Sequence, residues 1–516
     1  MRINLPILAL LGIALGPSLT GAGELFPPTL PIEEAVDRYV EAQLQEAGLQ
    51  PAQPASDANF IRRLTLDLIG RIPTLEETRS FVASTKTGKR IELTDRLLNS
   101  PAFVRHQATE FDTLLMNGTR GSVRPYLLMA LAEGRSWDRI YRDLLLPDES
   151  DPKLKPAAEF LHQRVRDLDK LTAEVSSLFF GVNISCARCH DHPLVADWKQ
   201  DHFFGMKSFF SRTYQSGGRL AERETGLVKF KTTKGVERQA RLMFLTGKVV
   251  ETKTSKDSSA KFSARAELVK LSLQPDQRDF FARSIVNRIW HRFFGYGLVM
   301  PLDQMHSENA PSHPELLDWL ARDLVEHGYD LRRLIRGLVL SRAYARASRW
   351  DKGEVPQPSL FAVARVRPLT PMQLAVSLRL AVTDPQTLPA PSKPEELDKR
   401  LQGLEASAAS LARLFDQPDE DFQVGVHEAL LFSNGAIIEK DLLADGGDRL
   451  LNRLRQLTKD EEAIDLAVQT ILCRPPRDEE RKLLGEYLQQ RVDRPVEARR
   501  QMMWALLTSA EFRFNY

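Results

Sequence analysis

Apolar positions recur at helical spacing over most of the chain. Ile32, Val36, Val40 and Leu44 lie four apart with acidic residues between them, which predicts an amphipathic helix. A second helix is predicted over 59–68, stopping at Gly70 before Pro73. Thr74 followed by Glu77 has the spacing of a capping box, in which the threonine oxygen accepts an early amide and the glutamate reaches back. Further helices are predicted over 91–98, 103–115, 124–132, 137–145 and 170–180. Ser312 with Glu315 predicts another capped start, for a helix through Leu324 that ends near Gly328. Thr370 with Gln373 predicts a third, with Pro371 at the first helical position.

Between 213 and 262 the period changes. Gly217-Gly218 breaks the chain, and Val228-Lys-Phe-Lys-Thr232 alternates apolar and charged residues as a half-buried strand does. Residues 242–245 and 249–250, on either side of Thr246-Gly247-Lys248, predict a second hairpin. The polar stretch 252–259 predicts a mobile loop. Helical periodicity resumes near Asp276, the four prolines of 384–394 make that stretch the best linker candidate, and Pro475-Pro476 marks a turn between helices. No internal repeat is visible. The expected fold class is therefore mainly α, with multi-helix domains and a small β insertion. Its expected parts are a leader over 1–22, a helical domain over 32–214, a β insertion and linker over 215–275, and a second helical domain over 276–516.

The first residues follow a different logic. Met1-Arg2 is a short positive start, the stretch from Leu5 to Leu19 is almost wholly apolar, and small residues lead to Ala22. This is the layout of a secretory signal cleaved after Ala22, so the mature protein is expected in the periplasm or outside the cell, with no membrane-spanning segment left after cleavage. Pro6, Gly12, Gly16 and Pro17 make the stretch a poor core helix. No cysteine follows it that a lipid could modify. Composition changes this picture little: 42% of the 516 residues are hydrophobic and 27% charged, and 71 basic residues against 69 acidic leave a net charge of +2. That balance argues against nucleic acid as a partner.

Three cysteines, Cys186, Cys189 and Cys473, are too few to hold a chain of this length together by disulfides. Two of them form Cys186-Ala-Arg-Cys189-His190. Covalent haem c attachment needs two thiols that add across the porphyrin vinyl groups, and two intervening residues set both sulfurs along one haem edge. The histidine that follows is placed to supply the proximal iron ligand. The motif thus points to one covalent haem c held by Cys186 and Cys189 with His190 on the iron. Two other readings remain: a tetrahedral zinc site made by Cys186, Cys189, His192 and His202, and a reversible disulfide or inert pair. For the sixth iron position the reachable candidates are Met206 and His202, beside an open position. His192 is too close to His190 to reach the opposite haem face, so a local hydrogen bond or cap, with Asp191 as a partner, is its expected role.

Several segments carry a family resemblance. The chain resembles secreted, cytochrome-like proteins of planctomycetes and related bacteria, built from two paired domains of unknown function numbered fifteen-forty-nine and fifteen-fifty-three. The N-terminal resemblance, over about 32–214, rests on Phe60-Ile-Arg-Arg-Leu-Thr-Leu-Asp-Leu-Ile-Gly-Arg-Ile-Pro-Thr74, on Asp95-Arg-Leu-Leu-Asn-Ser-Pro101 and on Cys186-Ala-Arg-Cys-His-Asp-His-Pro193. The C-terminal one, over about 281–516, rests on Asn287-Arg-Ile-Trp290, Phe294-Gly295, Ser312-His-Pro-Glu-Leu-Leu-Asp-Trp319, Arg367-Pro-Leu-Thr-Pro371 and Trp504-Ala-Leu-Leu-Thr-Ser-Ala-Glu-Phe512. The resemblance implies a c-type cytochrome character but no defined reaction. A histidine often stands two places after the family tryptophan. Here Arg292 holds that place and His291 precedes it, which argues against an iron ligand from the C-terminal half. His192 and His313 match the family pattern, and His313 is expected to be structural.

Two function classes follow. The first is an extracytoplasmic redox protein that passes single electrons to a partner protein, with haem-dependent oxidation of an exported substrate as a possible extension. The second is a zinc-stapled structural or binding protein of the cell envelope. A hydrolase ranks third, since the chain has no nucleophile elbow, His-Glu-x-x-His segment or glycine-rich phosphate loop.

Overall fold

Helices succeed one another from Ile32–Glu46 to Ala510–Arg513 in the computed structural model, which describes residues 25–251, 262–418 and 425–516. The leader expected over 1–22 and the loop expected over 252–259 lie outside the described residues. The mainly α class holds, with short antiparallel strands as the β component. Thr213–Ser216 pairs with Arg219–Glu222 across Gly217-Gly218, and Lys229–Lys231 pairs with Glu237–Gln239. The second hairpin expected over 242–250 is reduced to one bridge, Met243 to Val249. No helix is long and apolar enough to cross a membrane among the described residues.

Local capping chemistry sets several boundaries. Thr74 and Glu77 exchange both hydrogen bonds of the box at the start of Leu75–Ala83, and Thr370 and Gln373 do the same for Pro371–Ala381. The start expected at Ser312 is shifted by one residue. Pro314 takes the first helical position of Pro314–Glu326, His313 becomes the N-cap without a side-chain cap, and Ser312 instead meets the His313 Nδ1 at 3.1 Å. With the helix set by proline, Glu315 stands one place too early to close a box. His313 is buried, and burial pulls its imidazole down to about 4, in keeping with a structural role. The second helical stretch also begins earlier than Asp276, with Ala264–Ser272 capped by Ser263.

Packing divides the chain elsewhere than at 276. One hydrophobic core gathers residues between Ile32 and Ala362, and a second gathers Leu369 to Phe512 together with Leu66 and Ile72. The proline-rich stretch 384–394 therefore does not separate domains; it connects Pro371–Ala381 to Pro394–Ala412 within the second core.

The Asp57–Ile69 helix lies along the seam, buried from Phe60 to Ile69. A helix apolar on every side would suffice for that position, but this one carries Arg62 and Arg63. Arg62 donates to the carbonyls of Glu511, Phe512 and Phe514, and Arg63 donates to those of Tyr344, Arg346 and Tyr516. These guanidiniums tie the helix to backbone carbonyls of the C-terminal tail and, through Arg63, of Tyr344 and Arg346. The tail closes by pairing Phe514–Asn515 with Arg367–Pro368.

Candidate cofactor site

The cysteine motif occupies the connection between the Leu168–Phe180 and Gln200–Phe210 helices. Gly181, with φ of 67°, ends the first helix, and a Cβ there would stand 2.8 Å from the Met305 Sδ. Ser185–Arg188 then forms a single 3-10 turn. The turn is fixed by its apolar residues: Ile184 and Ala187 are fully buried, and Val195 and Trp198 anchor the return. Cys186, Cys189 and His190 face solvent on that turn, and both thiols are free. Leu194, five residues after Cys189, is 83% exposed, an apolar side chain left uncovered on the same connection.

Backbone contacts hold this exposed segment in place. The buried Gln200 donates its Nε2 to the Cys189 carbonyl at 3.1 Å, and its own amide donates to Asp191 Oδ1 at 2.9 Å. His192 Nδ1 accepts from the amides of Val195 and Leu194, so its role is a local cap. Asp191 turns to Gln200 rather than to His192. His190 Nδ1 lies 2.7 Å from the Asp191 carbonyl. A neutral ring that donates there leaves Nε2 as the ligating nitrogen, the arrangement that orients metal-bound histidines.

The two sixth-position candidates take different places. Met206 has no exposed surface and sits in the core with Phe203, Phe209 and Phe210, so packing accounts for it. His202 accepts the Lys199 amide at Nδ1 and meets Trp198 edge-on at 5.8 Å; burial lowers its affinity for a proton. The zinc set is not gathered: among the described residues no group of three or more His, Cys, Asp or Glu side chains is arranged to hold a metal ion. His192 and His202 each spend Nδ1 on a backbone amide.

The sequence reading did not foresee that a segment far downstream flanks the motif. The Asn183 amide donates to the Asp303 carbonyl at 2.7 Å, Val182 bridges to Gln304, and the Met305 amide donates to Gly181 at 3.0 Å. Asp197 accepts both the amide and the hydroxyl of Ser307. Between these contacts lies His306, whose buried Nδ1 has no hydrogen-bond partner among the described residues. A lone Met-His pair carries no local signal, because its meaning comes from this long-range docking alone.

The haem fit can be judged on these donors. Two free thiols and one imidazole stand exposed on one short connection that also exposes the apolar Leu194, a donor set that suits a porphyrin edge lying over the surface.

Residues 35–215 match the family described as PSCyt2, a protein of unknown function (DUF1549), and residues 264–488 match PSD1, a protein of unknown function (DUF1553). The cysteine turn lies in the first, and the 303–307 segment docked on it lies in the second. No curated protein and no solved structure matches the chain.

Proposed function

We propose that this chain, which belongs to the family pairing a DUF1549 region with a DUF1553 region, is an extracytoplasmic c-type haem protein that exchanges electrons with a partner protein. The observation that carries this reading is the joint exposure of Cys186, Cys189 and His190 on one anchored turn with both thiols free. Cys186 and Cys189 would hold the porphyrin edge, and His190 would ligate the iron. Haem bound there would supply single-electron exchange.

The chain's own part is to position and shield. The buried Ala187 anchors the turn, and the Gln200 bond holds the Cys189 backbone. The Asp191 carbonyl orients the His190 ring, and Leu194 offers apolar cover. His306 joins Met206 and His202 as a donor to test for the sixth position.

The test is production with a haem-ligation system and export, followed by haem-stained denaturing electrophoresis, a pyridine haemochrome spectrum and intact mass. One covalent haem per chain is expected. Cys186→Ala or Cys189→Ala should reduce or abolish attachment, and His190→Ala should change the visible spectrum where attachment survives. An unmodified mass with stoichiometric zinc, from exported protein, overturns the reading in favour of a metal-stapled envelope protein.

A further inference from the structure

A second constellation, which the haem reading does not use, lies on the seam between the two cores. A cavity of about 680 Å³ opens there among Asp67, His106, Glu110, His291, Arg292 and Arg367, with Arg365, Tyr296, Thr370 and Gln373 completing its wall. The volume falls within the usual range for a small-molecule site, and seams between packed units are a common place for one. Segments far apart in sequence converge on it, among them the Asp57–Ile69, Pro101–Met116 and Asp279–Phe294 helices, the Arg367–Pro368 strand, the start of Pro371–Ala381 and the Phe514–Asn515 strand. Three of those segments are ones on which the family resemblance rests.

The cavity has a fixed floor and a free wall. Asp67 is committed: it accepts from Arg367 at 2.8 and 3.0 Å, from the Tyr344 hydroxyl at 2.7 Å and from Asn515 at 2.8 Å. Arg367 also donates to the Arg292 carbonyl, and Arg292 donates to Gln107. Gly70 lets His106 close over the end of its helix, since with φ of 72° a Cβ there would stand 2.5 Å from His106 Nδ1. Gly295, with φ of 73°, lets the Arg367 stem cross within 3.0 Å of where a Cβ would be.

The remaining groups line the cavity without closing it. Burial, reinforced by the Arg292 charge, pulls His106 down to about 3, and burial with the Arg367, Arg288 and Arg365 charges pulls His291 to about 4. Both imidazoles are therefore neutral near pH 7; His106 spends its N–H on the Asp67 backbone and keeps an acceptor nitrogen, and His291 carries one donor and one acceptor. Burial holds the Glu110 carboxyl above the usual range, against the pull of Arg292. Its Oε1 lies 3.9 Å from His106 Nδ1 and 3.5 Å from the Thr370 hydroxyl, too far for a strong bond to either. Three guanidiniums thus meet one committed carboxylate and one carboxyl that burial disposes toward neutrality. The field favours an anion, while the neutral imidazoles and the Thr370 hydroxyl favour hydroxyl groups; Gln373 is held by the Thr370 amide and the Leu66 carbonyl.

We propose that this cavity is a binding site for a small hydroxy carboxylate, its carboxylate set against Arg292 and Arg365 and its hydroxyls against His106, His291 and Thr370. The proposal is independent of the haem reading, since it shares no residue with the cysteine turn. The test is titration calorimetry of the full chain with three probes of similar size: gluconate, its neutral counterpart sorbitol, and hexanoate, which keeps the charge and lacks the hydroxyls. Gluconate should bind saturably, and each of the other two at least about ten-fold more weakly. Arg365 is exposed and donates no hydrogen bond among the described residues, so Arg365→Gln should lower gluconate affinity about ten-fold at an unchanged melting temperature. His291→Gln should weaken gluconate more than hexanoate. Binding of sorbitol or hexanoate as tight as that of gluconate overturns the proposal. So does the absence of saturation, or an affinity indifferent to both substitutions.

Discussion

The cysteine turn and the seam cavity are built on opposite principles. In the turn the reactive side chains are exposed and the residues between them are buried, so Ala187 holds the backbone while Cys186, Cys189 and His190 stay available. In the cavity the polar side chains themselves are buried and hold one another, with Asp67 accepting from three residues far apart in sequence. The turn can lose a side chain without disturbing the fold. The Asp67 network at the floor of the cavity cannot, because it is part of the packing between the two cores. Chemistry presented on a surface is separable from stability, and chemistry built into a seam is not.

The largest test of this contrast is Asp67→Ala. Removing that carboxylate leaves the Arg367 guanidinium, the Tyr344 hydroxyl and the Asn515 amide unpaired in a buried place, and the loss of one partner from a buried pair typically costs about 3–5 kcal/mol. A urea unfolding curve should shift to a correspondingly lower midpoint. A change under about 1 kcal/mol would show that the network is not part of the seam's stability.

A smaller effect separates the regions by pH. His106 is held neutral in the folded chain, with its affinity for a proton lowered from the ordinary 6.5 to about 3. The unfolded chain binds that proton first, so this contribution is complete above pH 6.5 and is lost as pH falls toward 3. Between those limits stability should drop by about 1.4 kcal/mol per pH unit for this one group. His106→Asn removes the titration, and its stability-against-pH slope over pH 6 to 4 should be shallower than that of the unsubstituted chain by about that amount. His291 and His313, both pulled to about 4, act in the same direction and keep part of the slope in the variant. An identical slope would mean that His106 is not held neutral.

The same contrast explains what could be read from sequence. The boxes at Thr74 and Thr370 were legible because a cap and its partner lie three residues apart, and the turn was legible because five adjacent residues carry its chemistry. Ser312 misled because the signal of Pro314, two places further on, decides the helix start. The 242–250 hairpin had the alternation of strands but too few residues for more than one bridge. The division into cores was hidden because Leu66 and Ile72 belong to a core made almost wholly of residues after 368. The cavity was illegible for a related reason. Asp67, His106, Glu110 and His291 each sit on a helix where a polar residue is unremarkable, and Arg62 and Arg63 look like solvent-facing charges until the C-terminal tail arrives beside them.

The smallest effect is expected at the turn, and it completes the comparison. Cys186 and Cys189 are exposed and free, and the contact that fixes this part of the backbone uses the Cys189 carbonyl rather than its sulfur. Replacing either cysteine by alanine in the haem-free chain therefore deletes no buried contact and frees no buried polar group. Exposed substitutions of this kind change stability by no more than about 0.5 kcal/mol, so the urea midpoints of Cys186→Ala, Cys189→Ala and the unsubstituted haem-free chain should coincide. The same substitutions are expected to cost haem attachment when the chain passes through a ligation system. A loss of stability comparable to that of Asp67→Ala would mean that the sulfurs belong to the fold, and the separation between surface chemistry and seam chemistry would fail.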